Sequence, residues 1–353
     1  MKLKGYFSII ALIVVWLLPG IAISTPEKSF TAAELAFYKG ADRQQVLEGG
    51  AKKEGTLTFY TTGILNQAVR SIVNAFNKRY PYIKVEIWRA GTNKYVPRVL
   101  EEYRAGKYNV DVMEITQTGA IVLREKEIIQ PFYSPNLSFI EEYTIKKAPN
   151  GGVFSAGHYQ SGISLGYNTK LLSKRQVPKT YEDLLDPKWK GKMVIPGSNS
   201  GVGWMGGILF YRGEDFLNQL VKQEFTVHMA SARAVLDMVL NGEYGFTPAA
   251  ADSHANKSKA NGAPIDWVPL EPVQCHLSQI MLAKYTSHPH AAMLFIDFDL
   301  SKEAGEIYKA SGYNSPRKDI SSPRTYKKYF GPDTTEQFIR WKKLFDELFV
   351  KVK

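Results

Sequence analysis

The sequence predicts an α/β protein of two lobes, each a mainly parallel sheet flanked by helices. Three observations lead there. β-rich runs alternate with segments of helical apolar period, and the second half of the chain continues in the same style. The chain has 353 residues, 44% hydrophobic and 22% charged, which is enough apolar material for two cores and excludes a disordered or collagen-like chain.

The first residues stand apart from that order. Lys2 and Lys4 precede an apolar run from Phe7 to Leu18, shorter than the ~20 residues of a membrane span. Pro19-Gly20 breaks the run, and Ala22-Ile23-Ser24 offers small residues at both positions that a signal peptidase reads. The expectation is a signal peptide over residues 1–24, removed after Ser24 to leave an exported, soluble protein. Residues 25–54 read as a helical lead-in, with apolar residues at loose helical spacing in Ala32–Lys39 and Arg43–Lys53.

After Gly55 the pattern changes. Thr56–Tyr60 is a compact β-rich run closed by Thr61-Thr62-Gly63. Ile64, Leu65, Val69, Ile72, Val73 and Phe76 then recur near a 3.6-residue period up to Tyr80-Pro81. Ile83–Trp88 alternates as a strand, 94–104 reads as a helix, Val110–Ile115 as a strand and Thr118–Lys126 as a helix. In the second half, Gly162–Tyr167 is a strand, Thr180–Leu185 a capped short helix and Lys192–Ile195 a buried strand, before a Gly-rich helix. Phe225–His228, Phe246–Ala250, Ile265–Leu270 and His276–Leu282 are further strands, with a helix at Ala232–Leu240. Helices near 289–300 and 302–310 close the compact part, and 335–350 is a last amphipathic helix.

Lys and Arg number 45 against 34 Asp and Glu, a balance of +11. The lysines come as scattered pairs (Lys52-Lys53, Lys146-Lys147, Lys327-Lys328, Lys342-Lys343), whereas a nucleic-acid binder gathers its cations on one face. No nucleic-acid partner is expected, although a mild positive field favours an anionic ligand. The single cysteine, Cys275, excludes an intramolecular disulfide framework and a Cys-based zinc cage.

In open α/β sheets, ligands sit beyond the carboxyl ends of strands, where helix N-termini point. Three turns there share one chemistry: Thr61-Thr62-Gly63, Thr116-Gln117-Thr118-Gly119 and Ser198-Asn199-Ser200-Gly201. Each joins hydroxyls or amides to a glycine and opens a helix. It is therefore either an ordinary N-cap or an anion seat built from free N–H groups and the helix dipole. Catalytic signals are weaker. His288-Pro289-His290 reads as a capped turn, Asp297 and Asp299 do not share a helical face, and Cys275-His276 falls in a buried strand. The chain carries no Gly-x-Ser-x-Gly elbow and no phosphate loop ending in Gly-Lys-Ser/Thr. No enzyme and no cofactor is expected.

From Gly55 to Arg317 the chain resembles the extracellular solute-binding proteins of bacterial ABC importers, in the branch that includes the ferric-iron binders. The stretches that carry the likeness are EGTLTFYTT, NAFNKRYPYIKVEI, DVMEITQTGA, GISLGYNTKLL, YEDLLDPKWKGKMVIP, LNGEYGF and AAMLFIDFDLSKEAGEIYKASGYNSPR. The resemblance implies a two-lobed clamshell, the type 2 periplasmic binding fold, with hinge crossings near His158–Ser161 and Pro272–Cys275. It implies lobe 1 from residues 55–160 and 275–320, lobe 2 from 161–274, and a helical tail over 321–353. It also implies a periplasmic monomer that binds a ligand between its lobes and docks on a permease in the inner membrane.

Iron binders of this branch hold ferric iron with two adjacent tyrosines, helped by a His and a Glu. Here the tyrosine segment reads Pro248-Ala249-Ala250-Ala251-Asp252-Ser253-His254, the Glu position falls at Thr116 and the His position near Gly63-Ile64. Asp252 and His254 alone make a poor ferric site, and no metal is expected. The expected ligand is a small anion: an organic carboxylate, a phosphonate or an oxyanion. The candidate binding residues are Thr61, Thr62, Gly63, Thr116, Gln117, Thr118, Ser161, Ser198, Ser200, Gly201 and Asp252, with Tyr167 and Trp204 as apolar walls if they are not core. A ferric binder with unusual ligands is the near alternative, and a secreted enzyme on the same fold the distant one.

Overall fold

The computed structural model describes residues 30–322, 326–332 and 334–350; the expected signal peptide lies outside them. Two short helices lead in, α1 (Ala32–Phe37) and α2 (Arg43–Glu54). The first lobe then alternates β1 (Thr56–Thr61), α3 (Arg70–Arg79), β2 (Lys84–Arg89), α4 (Thr92–Arg104), β3 (Val112–Thr116) and α5 (Gln117–Glu125), followed by short strands β4 (Ile129–Gln130) and β5 (Ile145–Lys147). The long strand β6 (Val153–Asn168) leads into β7 (Val194–Pro196), α6 (Asn199–Val221), β8 (Thr226–His228), α7 (Ala232–Leu240), β9 (Phe246–Ala251), α8 (Asp252–Ala260) and β10 (Ile265–Val268). A second long strand, β11 (Val273–Ala283), returns to α9 (Pro289–Asp299) and α10 (Lys302–Ala310), before β12 (Lys328–Tyr329) and α11 (Thr335–Phe345).

The main sheet runs β10-β6-β11-β3-β1-β2. Pairing is parallel for β1 with β2 and β3, and for β7 with β8, as βαβ alternation requires. The sheet as a whole is mixed, because β6 and β11 lie antiparallel along their shared length, from Ile163↔Gln274 to Ala156↔Ile280. Sequence patterning shortens β6 to Gly162–Tyr167, since Ser155, Gly157, His158, Gln160 and Ser161 hide its apolar alternation. The expected helix at Thr180–Leu185 is one 3-10 turn, Glu182–Leu185.

The buried side chains divide on these two strands. Ala156 and Ile280 belong to a core with Leu57, Phe59, Phe76, Phe295 and Phe298. Ile163 packs with Leu165, Met193, Trp204 and Phe246, and Cys275 with Val194, Val235 and Trp267. The tail also joins this second lobe: Tyr329, Trp341, Phe345 and Phe349 are buried in its core. The two lobes meet again through Gln67, whose amide donates to the Ser311 carbonyl at 2.9 Å and the Ser253 carbonyl at 3.4 Å. Among the described residues no helix is long and apolar enough to cross a membrane.

Candidate functional site

The first of the three turns already holds an anion, and it is the protein's own. Glu114 stands on β3 in register with Thr61 of β1, so its carboxylate lies under the Thr61-Thr62-Gly63 turn. Its Oε2 accepts from the Thr62 amide at 2.8 Å, the Gly63 amide at 2.9 Å and the Thr61 hydroxyl. Its Oε1 accepts from Tyr159 at 3.0 Å, the Thr62 hydroxyl at 3.2 Å and the Ser278 hydroxyl. Three donors per oxygen exhaust what a carboxylate accepts. The chemistry read from the sequence is present, but the seat is occupied: Thr61, Thr62 and Gly63 grip Glu114 and not a solute.

The other two turns face each other across a cavity of about 30 Å³ between the lobes, room for a water or two. Thr116, Gln117 and Thr118, at the start of α5, line it from lobe 1; Asn199 and Gly203, from the first turns of α6, line it from lobe 2. Thr116 and Thr118 share a hydroxyl–hydroxyl contact of 3.1 Å and are half-buried. Among the described residues neither helix start receives a side-chain cap, so both dipole ends keep free N–H groups near the cavity. Gly201 lets the start of α6 pack on the end of β7, whereas Gly203 leaves ordinary room beside His276. A Cβ on Gly201 would lie 1.9 Å from the Pro196 carbonyl oxygen, and one on Gly203 would come 3.4 Å from His276 Nε2.

The floor of the cavity is β11. Strand alternation sends Gln274 and His276 toward α6 and Cys275 to the opposite face, where the thiol sits in the core with its pKa pushed up by burial. Burial pushes the His276 imidazole down to about 4, so it is neutral at pH 7. It makes no hydrogen bond among the described residues and is free to meet a ligand. Pro332 and Phe338 supply the apolar side, while the Leu277 side chain turns to the opposite face with Cys275.

Several expected residues lie elsewhere. Tyr167 and Trp204 are buried core side chains; Trp204 packs on Phe225 and Phe349, with ring centroids 5.8 and 6.4 Å away, and walls no ligand. Asp252, expected to contact the ligand or sit on a helix surface, is fully buried. It accepts from Ser161 at 2.7 Å, the Gly162 amide at 3.0 Å, Asn314 at 2.8 Å and Tyr326 at 2.9 Å, with its pKa raised by burial against those bonds. Ser161 and Asp252 thus tie β6, α8 and the tail together. His254 is held neutral by burial, its pKa lowered to about 4. Ser198, Ser200 and Gly201 remain at the start of α6, but Asn199 and Gly203 are the residues there that line the cavity. His288 and His290 are half-buried and pair with Asp111 at 2.9 Å and Glu54 at 2.7 Å; the start of α9 has no local side-chain cap, and its first amides are taken by Glu54 instead. Among the described residues no group of three or more His, Cys, Asp or Glu is gathered for a metal.

Sequence reading left Glu114, His276 and Gln274 out of the site and named Asn199 only as part of the third turn. The signal for Glu114 was a charge inside the apolar strand Val110–Ile115, which demands internal partners. The signal for His276 was period-2 alternation, which sets it opposite Cys275.

Residues 122–341 match the family described as bacterial extracellular solute-binding proteins. An uncharacterized protein of Haemophilus influenzae is 27% identical over 281 residues, covering 74% of this chain and 77% of the relative. Among solved structures, iron-bound HitA from Pseudomonas aeruginosa superposes with a TM-score of 0.68 at 19% identity, covering 82% of this chain and 98% of that one. The periplasmic binding protein AfuA from Actinobacillus pleuropneumoniae, with fructose-6-phosphate bound, gives 0.68 at 20% identity, covering 85% of this chain and all of that one (100%). At these identities the likeness is one of fold.

Proposed function

Because this chain belongs to the family of bacterial extracellular solute-binding proteins, whose members bind small ligands for delivery to an ABC permease, we propose that it captures a small anion between its lobes. One observation carries the reading: the uncapped N-termini of α5 and α6 approach one cavity from opposite lobes. An anion is larger than the water or two this gap has room for, so it enters as the lobes part, and it then takes hydrogen bonds from Thr118 and Thr116 on one side and from Asn199 and the first amides of α6 on the other. His276 donates from the floor. A ligand that bonds to both lobes at once favours the closed clamshell, and that closed form docks on the permease. The protein works as an exported monomer, secreted through the cleaved segment 1–24, with lobes divided at β6 and β11. It binds and releases without chemistry.

The solute is a small carboxylate, phosphonate or oxyanion. The iron held by HitA belongs to that protein. In this chain the buried carboxylate of Glu114 has its acceptor capacity spent on six donors. Calorimetric titration of phosphate, sulfate and citrate into the wild type and the Thr118→Ala and Asn199→Ala variants tests the reading. At least one anion should bind the wild type, and each variant should lose about 10-fold or more, the worth of a hydrogen bond to a charged group. Full affinity in both variants refutes the site.

A further inference from the structure

The last helix takes part in both lobes. α11 is anchored in lobe 2 by Trp341 and Phe345, and Trp341 lies so close over α6 that a Cβ on Gly206 would meet its ring at 2.1 Å. The first turn of α11 reaches the other lobe, where the Thr335 hydroxyl donates to Glu125, the last residue of α5, at 3.1 Å. The chain leading into α11 is pinned at the hinge: β12 pairs with β11 at Val273 and Gln274, and the Gln274 amide donates to the Gly331 carbonyl at 3.1 Å. Phe338 is therefore fixed from both sides, half-buried, as a wall of the cavity that the two helix ends share.

We infer that Phe338 is a specificity-determining residue of the cleft, setting the upper size of the anion it accepts. The inference rests on the anion-binding proposal. The donors of the cavity lie on the α5, α6 and His276 sides, while Pro332 and Phe338 form its apolar side. A compact oxyanion needs only the donors. A phosphate carrying a polyhydroxylated body must push that body against the Phe338 ring, where each hydroxyl gives up water without gaining a partner. Phe338 rejects such a solute by volume and by desolvation together, and it does so from a helix that moves with lobe 2 while bonded to lobe 1.

The test is calorimetric titration of inorganic phosphate and fructose 6-phosphate into the wild type, Phe338→Ala and Phe338→Leu. The wild type should prefer phosphate by about 100-fold or more, Phe338→Ala should shrink that preference to about 10-fold or less by tightening fructose 6-phosphate, and Phe338→Leu should fall between. The melting temperature of Phe338→Leu should stay within a few degrees of wild type, which shows that the fold is kept. An unchanged preference in both variants, or a wild type that takes both probes equally, overturns the role of Phe338 and leaves the anion site standing. If neither probe binds any of the three proteins, this inference fails, and the anion reading stands or falls separately on the sulfate and citrate titrations.

Discussion

Replacing Glu114 by glutamine and by alanine separates a carboxylate held by its neighbours from one that waits for a ligand. The two oxygens face different donors. Oε1 meets three hydroxyls, those of Thr62, Tyr159 and Ser278, each of which can rotate to accept instead of donate. Oε2 meets two backbone amides, Thr62 and Gly63, which cannot. Glutamine resolves this by turning its NH₂ toward the hydroxyls and keeping its carbonyl oxygen under the amides. It loses only the difference between charged and neutral hydrogen bonds, about 1–2 kcal/mol in all. Alanine leaves the Thr62 amide the backbone carbonyl of residue 114 at 3.2 Å and the Gly63 amide the Thr61 hydroxyl at 2.9 Å, but it strands the hydroxyls of Tyr159 and Ser278; at about 1–3 kcal/mol for each buried unsatisfied donor the loss is about 2–6 kcal/mol. Urea denaturation at constant m-value reads both numbers. Equal losses for the two variants, or an alanine variant within about 0.5 kcal/mol of wild type, would refute the claim that Glu114 fills this seat.

Four further outcomes follow from the geometry. Sulfate, whose charge is constant between pH 5 and 7.5, should bind more tightly as pH falls. A bound anion favours the imidazolium of His276, which burial holds down to about 4 in the free protein, so binding takes up a proton; calorimetry across that range should show the trend in the wild type and a flat profile in His276→Gln. Asp252→Ala should destabilise the protein by about 3–5 kcal/mol, since four donors from Ser161, Gly162, Asn314 and Tyr326 lose their acceptor, and thermal melts should show it. Trp204→Phe should leave anion affinity within about twofold while lowering the melting temperature, because the indole packs in the lobe 2 core. Thr62→Ala should likewise leave anion affinity unchanged in the same titration, since its hydroxyl serves Glu114.

The α/β order was legible because its helices carry strong apolar stripes and its short strands are compact, as in Thr56–Thr61 and Val112–Thr116. The hinge strands were legible only in part, Gly162–Tyr167 within β6 and His276–Leu282 within β11. β6 and β11 are long and carry buried Ser161, Gln160, Gln274 and Ser278, which break the apolar alternation, and partners such as Asp252 for Ser161 and Glu114 for Ser278 are far away in sequence. The site divides in the same way. Two of the three predicted helix starts meet at the cleft, because an N-cap pattern is local and survives folding. The third is occupied because Glu114, 51 residues after Gly63, is brought under it by strand register, which no local pattern reveals. Trp204 and Tyr167 failed as walls for the opposite reason: a large aromatic beside a Gly-rich turn is equally a core residue, and burial decides. The tail read as an appendage, yet Trp341, Phe345 and Phe349 are core, and Phe338 belongs to the cleft.

The most direct measurement is the mass of the intact protein recovered from a periplasm, compared under native and denaturing conditions. The account predicts a released mass matching a small organic acid or oxyanion, absent from protein carrying Thr118→Ala and Asn199→Ala together. An increment matching iron, or a released anion that survives in the double variant, would contradict it.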